Sequence, residues 1–381
     1  MNGREEGAAL LLALLVLVVL GIVSAALLFV ATQQSAVADA AIAAAKARFR
    51  ARSAAHLALA GWSSGAFRDL TVGESRSFEP LPFSTTEEGA EHAEVERLAG
   101  PWFLVRAAAR SSSAPQAAEY HVGLLVRAID PHELAAAFPA ALTAGGPVEL
   151  GPEARIGGNG DDPETWHDCM ADASAAPAGI FDASRPGILV PDPDFAPAGP
   201  SAAIAGEPPV ALDSTLAEPG AFQRIGPLDW EDLERLADRV VAGTVRPAPR
   251  RHGGGCQLDA PENWGDPLDP GGPCAGFAPL VYAPGDLTLA DGPAQGLLAV
   301  AGDLVLHEGA RFHGAVLVKG RLHVAAGAAI HGAVRAAAAN GPVTVHGRVA
   351  YDACALWRAF TRSAALNRPF RQGPRTWVPL P

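Results

Sequence analysis

The sequence has no G-x-S-x-G, H-E-x-x-H or P-loop pattern. Serine-hydrolase, zinc-protease and nucleotide-cradling chemistry therefore lack their residue sets. It has little cysteine: Cys169, Cys256, Cys274 and Cys354, with no C-x-x-C pair. That spacing speaks against zinc and thioredoxin-like chemistry. It also lacks a surplus of positive charge. A net charge of −12 argues against a nucleic-acid surface. The expectation is a non-enzyme with no cofactor and no resident metal.

One stretch lacks charge altogether. From Ala8 to Ala31 no ionisable side chain occurs, and the one hydroxyl is Ser24. Twenty-odd helical residues span roughly 30–36 Å, about one bilayer core. No Gly or Pro follows from Ile22 through Ala60, and AVADAAIAAAKARFRARSAAHLALA is dense in helix formers. The reading is one helix of about 50 residues, apolar in its first half and amphipathic in its second, stopped by Gly61 beside Trp62. Arg4 is offset by Glu5 and Glu6, while Lys46, Arg48, Arg50 and Arg52 lie beyond the apolar run. The positive-inside rule therefore supports the proposed orientation only weakly.

The start REEGAALLLALLVLVVL resembles the N-terminus of type IV pilin-like proteins, nearest the PilX-type minor pilins and pseudopilins. The resemblance covers about 55 residues. It implies a polar leader, Met1–Gly7, cut by a prepilin peptidase between Gly7 and Ala8, and a helix that anchors the subunit in the inner membrane and later packs with other pilin subunits. In that family an acid usually stands at the fifth mature position, and here Leu12 stands there. The resemblance thus implies a scarce subunit at a tip or initiating complex of a type IV pilus or type II secretion machinery, N-methylated, with its globular part periplasmic or on an extracellular pilus. Two plainer readings stay open: a secretory signal cut near Val23-Ser24-Ala25, and a single-pass anchor.

Beyond the helix, residues 62–93 read as loops with one short strand. EVERL (94–98), WFLVRAAAR (102–110) and EYHVGLLVRAI (119–129) read as an antiparallel meander separated by Gly100-Pro101 and SSSAP. Phe103, Val105 and Ala107 share one face, with Leu104 and Arg106 opposite. HELAAAF (132–138) reads as a short helix.

Near the C-terminus the chain repeats itself. GDLVLHEGARFHGAV from Gly302 aligns with GRLHVAAGAAIHGAV from Gly320, 18 positions on. Leu304/Leu322, Leu306/Val324, Gly309/Gly327, Phe312/Ile330, His313/His331, Gly314/Gly332 and Val316/Val334 coincide. Looser copies begin at Gly285 and Gly341. Short repeats with tiny strands and Gly corners point to a β-solenoid, and their grammar is similar to that of bactofilin-type proteins. Residues 145–158 read as an early rung, with 160–280 inserted before the others. In that insert a helix is expected over 229–241, with Asp229 as N-cap, Asp232 completing the box, and Leu233, Leu236 and Val240 as its stripe. CALWRAFTRSAAL (354–366) is expected to cap the solenoid end, and the basic, aromatic tail to lie along the body or dock on a partner.

The fold class expected is α+β: a long N-terminal helix, a small antiparallel sheet, and a short β-solenoid with an irregular disulfide-stapled insertion. The boundaries are leader 1–7, helix 8–61, meander 62–131, early rung and insert 132–280, rungs 281–353, and capping helix with tail 354–381. An even cysteine count in an exported region suggests two disulfides. Three connectivities exist; Cys256–Cys274 is the local choice, leaving Cys169–Cys354. His307, His313, His323, His331 and His346 read as a solvent-facing corner ladder, with His313 and His331 about 5 Å apart. The acidic group Asp161, Asp162, Glu164 and Asp168 lacks EF-hand spacing. Another function class remains: a membrane-tethered solenoid acting as scaffold or polysaccharide binder. A β-helix lyase or hydrolase would need clustered catalytic residues, which the rungs do not offer.

Overall fold

The computed structural model describes residues 3–62, 67, 70–78, 91–113, 116–159, 184–197, 204–369 and 376–380, with the backbone only at 3–11, 91, 112, 113, 116 and 379. The chain forms two compact units, Met1–Arg127 with Phe370–Pro381, and Ala128–Pro369.

In the first unit the helix α1 (Gly3–Ala60) runs unbroken for 58 residues. It ends where the sequence first offers glycine again: the Gly61 N–H bonds the Leu57 carbonyl at 2.8 Å. Ala43, Ala47, Ala51, Ala54, Ala55 and Ala58 are buried. Their spacing of threes and fours puts them on one face, and their small size lets the helix lie close on a sheet. That sheet contains β1 (Ser75–Ser77), β2 (Glu91–Ala99), β3 (Trp102–Ser113) and β4 (Gln116–Arg127), with α1 packed mainly on β3 and β4. Phe103, Val105, Ala107 and Ala109 are buried beneath the helix side. Arg106, on the opposite face, pairs with Glu96 across the strands. Trp62 closes the helix end against Phe67 and Phe103, ring centroids 4.6 and 5.4 Å away. The C-terminal tail is a fifth strand here: Trp377–Pro379 pairs antiparallel with Leu124–Val122 of β4. The segment expected as one piece, 354–381, is thus divided between the two units.

The second unit opens with α2 (Pro131–Ala136), capped by the Asp130 carboxylate, which accepts from the His132 N–H. Its strands are β5 (Leu142–Ala144), β6 (Val148–Leu150), β7 (Arg155–Gly157), β8 (Ile188–Val190), β9 (Ile204–Ala205), β10 (Val210–Leu212), the ribbon β11 (Arg224–Ile225) with β12 (Leu228–Asp229), β13 (Arg239–Val240), β14 (Gly243–Val245), the hairpin β15 (Arg251–His252) with β16 (Gly255–Cys256), β17 (Leu280–Ala283), β18 (Leu287–Leu289), β19 (Gly292–Val300), β20 (Leu304–Leu306), β21 (Ala310–Val318), β22 (Leu322–Val324), β23 (Ala329–Ala336), β24 (Val343–Val345) and β25 (Arg348–Tyr351). The tail strand of the first unit is β26.

Two parallel sheets carry this unit. One is six-stranded, in the order β14-β18-β20-β22-β24-β6. The other is eleven-stranded, running β10-β8-β5-β23-β21-β19-β17-β13, with β25, β7 and β9 alongside. The sequence repeats are cross-strand partners: Leu304 faces Leu322 and Leu306 faces Val324, while Phe312, His313, Gly314 and Val316 face Ile330, His331, Gly332 and Val334. The looser copies join the same ladders, Leu287 opposite Leu304 and Val324 opposite Val345. Leu304, Leu306, Leu322, Val324, Val343 and Val345 are almost fully buried, each side chain contributing about 1.5–3 kcal/mol. One shape requirement is steric. A Cβ on Gly314 would lie 2.0 Å from the Gly296 carbonyl oxygen, and one on Gly332 1.8 Å from that of Gly314. Both have φ near +140°, at 136° and 139°, where only glycine is at ease.

Four expectations need correction. Residues 145–158 stack beyond the last repeat: Val148 pairs with Val343 and Ile156 with Val349. The region 160–280 is likewise not one insertion between rungs. Its pieces β8, β9 and β10 extend the ladder past β5 and β7, while β13 and β14 begin it at the opposite end. The helix expected over 229–241 is only α3 (Trp230–Leu236). Its capping box is present, but Asp238 accepts from the Leu280 N–H and Arg239–Val240 pair with Val281–Tyr282, so ladder bonds outcompete another helical turn. Finally α4 (Ala353–Arg362) lies across β19, β21 and β23. It covers a sheet face rather than an end.

Candidate functional site

The feature with the clearest function is the apolar half of α1. Every large side chain from Leu12 to Phe29 that the structure describes is exposed, Leu12 at 68% and Leu28 at 70%. The helix is long and apolar enough to cross a membrane. An uncovered apolar rod of this length lies far outside what water-exposed surfaces carry, and it matches a hydrocarbon core in length. Gly7 and Ala8 lie within the helix by backbone, and their side chains are outside the described residues. Leu12 belongs to the exposed apolar surface.

Past the apolar run the helix becomes polar on its outer flank and packed on its inner one. The Arg48 guanidinium sits 5.9 Å from the Tyr120 ring centroid, and Arg52 5.3 Å from Trp377. His56 meets Trp377 edge-on at 5.4 Å. Of the cationic residues beyond the apolar run, Arg48 thus meets β4 and Arg52 the tail strand.

The disulfide Cys256–Cys274 is present. It closes the loop 256–274 that follows the hairpin β15–β16, and buried Asn263 donates to the Gln257 carbonyl inside it at 2.7 Å. Cys354 is disulfide-bonded as well, whereas Cys169 lies outside the described residues. Oxidised cysteines fit an oxidising compartment.

The histidines separate into two environments. His313 and His331 stack with centroids 4.6 Å apart and planes 11° from parallel. The expected solvent-facing ladder fails for this pair: His313 is buried and His331 half-buried. Their column continues to Gln295, whose amide donates to the Ala275 and Phe277 carbonyls, and Arg358 of α4 reaches the same Ala275 carbonyl at 2.9 Å. A loop and a helix thus cover the column. Burial first, then the positive charges of His331, Arg311 and Arg358, push the His313 pKa down to about 3. His323 and His346 remain on the other sheet with centroids 5.5 Å apart. Burial, then His346 and His307, hold His323 below the usual imidazole range. Among the described residues no group of three or more His, Cys, Asp or Glu is placed to hold a metal. The acidic group Asp161, Asp162, Glu164 and Asp168 lies outside the described residues.

Some working residues escaped sequence reasoning. The Asp303 carboxylate accepts from the Arg321 N–H at 2.8 Å and from the Asn340 amide at 3.0 Å, and Asp286 accepts from the Asp303 N–H in the same way one turn earlier. The signal was present as Gly-Asp recurring at 285–286 and 302–303. Burial acts to raise the Asp303 pKa, but these donors and the Arg321 guanidinium outweigh it and hold the carboxyl below its ordinary value.

No protein-family model matches the chain, and no curated protein matches it. Solved structures similar in part include an ice-binding protein and a pilin. A glycosylated ice-binding protein from Arctic yeast is 12% identical over 59% of this chain and 94% of that one, with a TM-score of 0.32. The competence-associated pilin ComZ from Thermus thermophilus is 12% identical over 87% of this chain and 96% of that one, with a TM-score of 0.21. At these scores neither likeness carries an argument, and the functional reading rests on the chain's own residues.

Proposed function

We propose that this chain is a minor pilin-like or pseudopilin-like structural subunit, held in the inner membrane by α1 and carrying a β-solenoid body outside it. The observation that carries the reading is the division of α1: an exposed apolar half long enough for a bilayer, continuous with a half whose alanine face is seated on a sheet. A rod so divided can move from lipid into a bundle of like helices without unfolding the unit it carries. The start REEGAALL supplies the cleavage site, with Gly7 before the cut and Ala8 after it. Leu12 in place of an acid favours a scarce position at a tip or initiating complex of a pilus or type II secretion machinery. The partners are other pilin subunits and a prepilin peptidase, and the role is structural rather than enzymatic.

N-terminal sequencing of membrane-extracted protein tests this. A mature chain starting at Ala8, N-methylated, is expected, and Gly7→Val should leave the precursor uncut. A native chain that keeps Met1 would overturn the pilin reading in favour of a membrane-tethered scaffold or polysaccharide binder.

A further inference from the structure

We infer that Asn340 is a site of spontaneous deamidation, and that its conversion loosens the rung that follows it. Asn340 precedes Gly341 in the corner between β23 and β24. Asparagine is a thermolabile residue, and its amide carbon lies within reach of the next residue's backbone nitrogen. A glycine there has no Cβ to obstruct the approach, and it tolerates backbone angles closed to other residues.

The fold leaves this corner accessible. It is longer than the corner before it: Gly341 follows Gly320 by 21 positions, whereas Gly320 follows Gly302 by 18. Ala339 and Asn340 are exposed. Ala338 has a φ of 57°, a left-handed value that a residue with a Cβ adopts under strain. The Gly341 N–H reaches the Ala338 carbonyl at 3.3 Å, longer than the usual range for such a bond, so the nitrogen is weakly held. The Asn340 amide nitrogen donates to the Asp303 carboxylate at 3.0 Å, two strands back in the order β20-β22-β24.

The reaction consumes only water. The Gly341 nitrogen gives its proton to solvent and bonds to the Asn340 Cγ; the Cγ–Nδ2 bond breaks, and Nδ2 takes a proton from water and leaves as ammonia. Water then opens the resulting cyclic imide at either carbonyl carbon, leaving an aspartyl residue or an isoaspartyl one. Both products spoil the contact with Asp303. A donor becomes a carboxylate, facing one that already accepts from the Arg321 N–H at 2.8 Å and from its Nε at 2.9 Å. Like charges at that range repel, and the Arg321 guanidinium is already engaged with Asp303. The isoaspartyl product also lengthens the backbone by a methylene, three residues before the fully buried Val343. The register of β24 against β22 and β6 is therefore what yields. The inference does not depend on the membrane reading.

Peptide mapping by mass spectrometry of the full chain, kept folded in detergent in warm, mildly alkaline buffer, tests it. The peptide carrying position 340 is expected to gain the mass difference between an amide and an acid and to split into two products of equal mass, while Asn340→Gln shows no gain at that position. Asn340→Asp is expected to lower the denaturant midpoint below that of fresh wild type, and to lower it less when introduced into Asp303→Asn. An Asn340 that stays intact in the folded chain while the denatured chain converts would overturn the inference. So would conversion that leaves the midpoint unchanged, or an Asn340→Asp loss just as large beside Asp303→Asn, which would mean that the contact with Asp303 is not what fails.

Discussion

His313 is the residue whose chemistry the fold changes most. Its folded pKa, about 3, lies below the unfolded value of about 6.5. As pH falls, the unfolded chain takes up this proton first. The neutral imidazole therefore contributes stability above pH 6.5 that is lost progressively as pH drops toward 3, by up to about 5 kcal/mol. Thermal melts from pH 7 to 4 should show a steep decline, and His313→Gln should flatten it; an unchanged slope would place the proton uptake elsewhere. Gly332 sets a second limit at this scale. With a backbone oxygen 1.8 Å from where its Cβ would stand, Gly332→Ala should cost more than about 2 kcal/mol, read as a lowered denaturant midpoint. Both residues stood out in the sequence, as HGAV repeated. What the repeat could not show was that His313 lies under Arg358 and the Ala275 loop, because the cover comes from segments elsewhere in the chain.

Elements behaved according to how local their causes are. α1 was legible, because its length and alanine face follow from helix propensity and periodicity within one stretch. The meander was legible for the same reason: turn residues and alternation sit side by side. The helix at 229–241 was only half legible. Asp229 and Asp232 made the cap as expected, yet Val240 is 62% exposed in a strand, because pairing with Tyr282 is a partnership 42 residues away. The disulfide loop belongs to this scale too. Cys256 and Cys274 are 18 residues apart, and closing a loop of that size is worth about 3 kcal/mol. The double variant Cys256→Ser/Cys274→Ser should therefore melt several degrees lower under non-reducing conditions, and the wild type should fall at least as far on reduction, because the disulfide at Cys354 is reduced with it.

At the scale of the molecule, each unit owns a core. One is the alanine face of α1 with Phe103, Val105 and Leu124; the other is the column set centred on Leu304, Leu322 and Val324. Two separable unfolding transitions are expected in detergent, and Gly332→Ala should lower only one of them. A single transition shifted as a whole would mean that the two cores unfold together.

Short-range physics was readable along the chain: an uncharged rod with the length of a bilayer, its amphipathic second half, the antiparallel meander, and the repeats that pair Leu304 with Leu322 and His313 with His331. How those pieces are ordered in space follows instead from contacts distant in the chain. Residues 142–157 lie past the C-terminal repeat, 239–245 lie at the other end, α4 lies across a face, and Trp377–Pro379 returns to β4. Parallel strands impose this ambiguity. Any apolar strand with the right register satisfies the edge beside it, so chain order leaves stacking order open. The choice is made by the loops that reach and the side chains that fit.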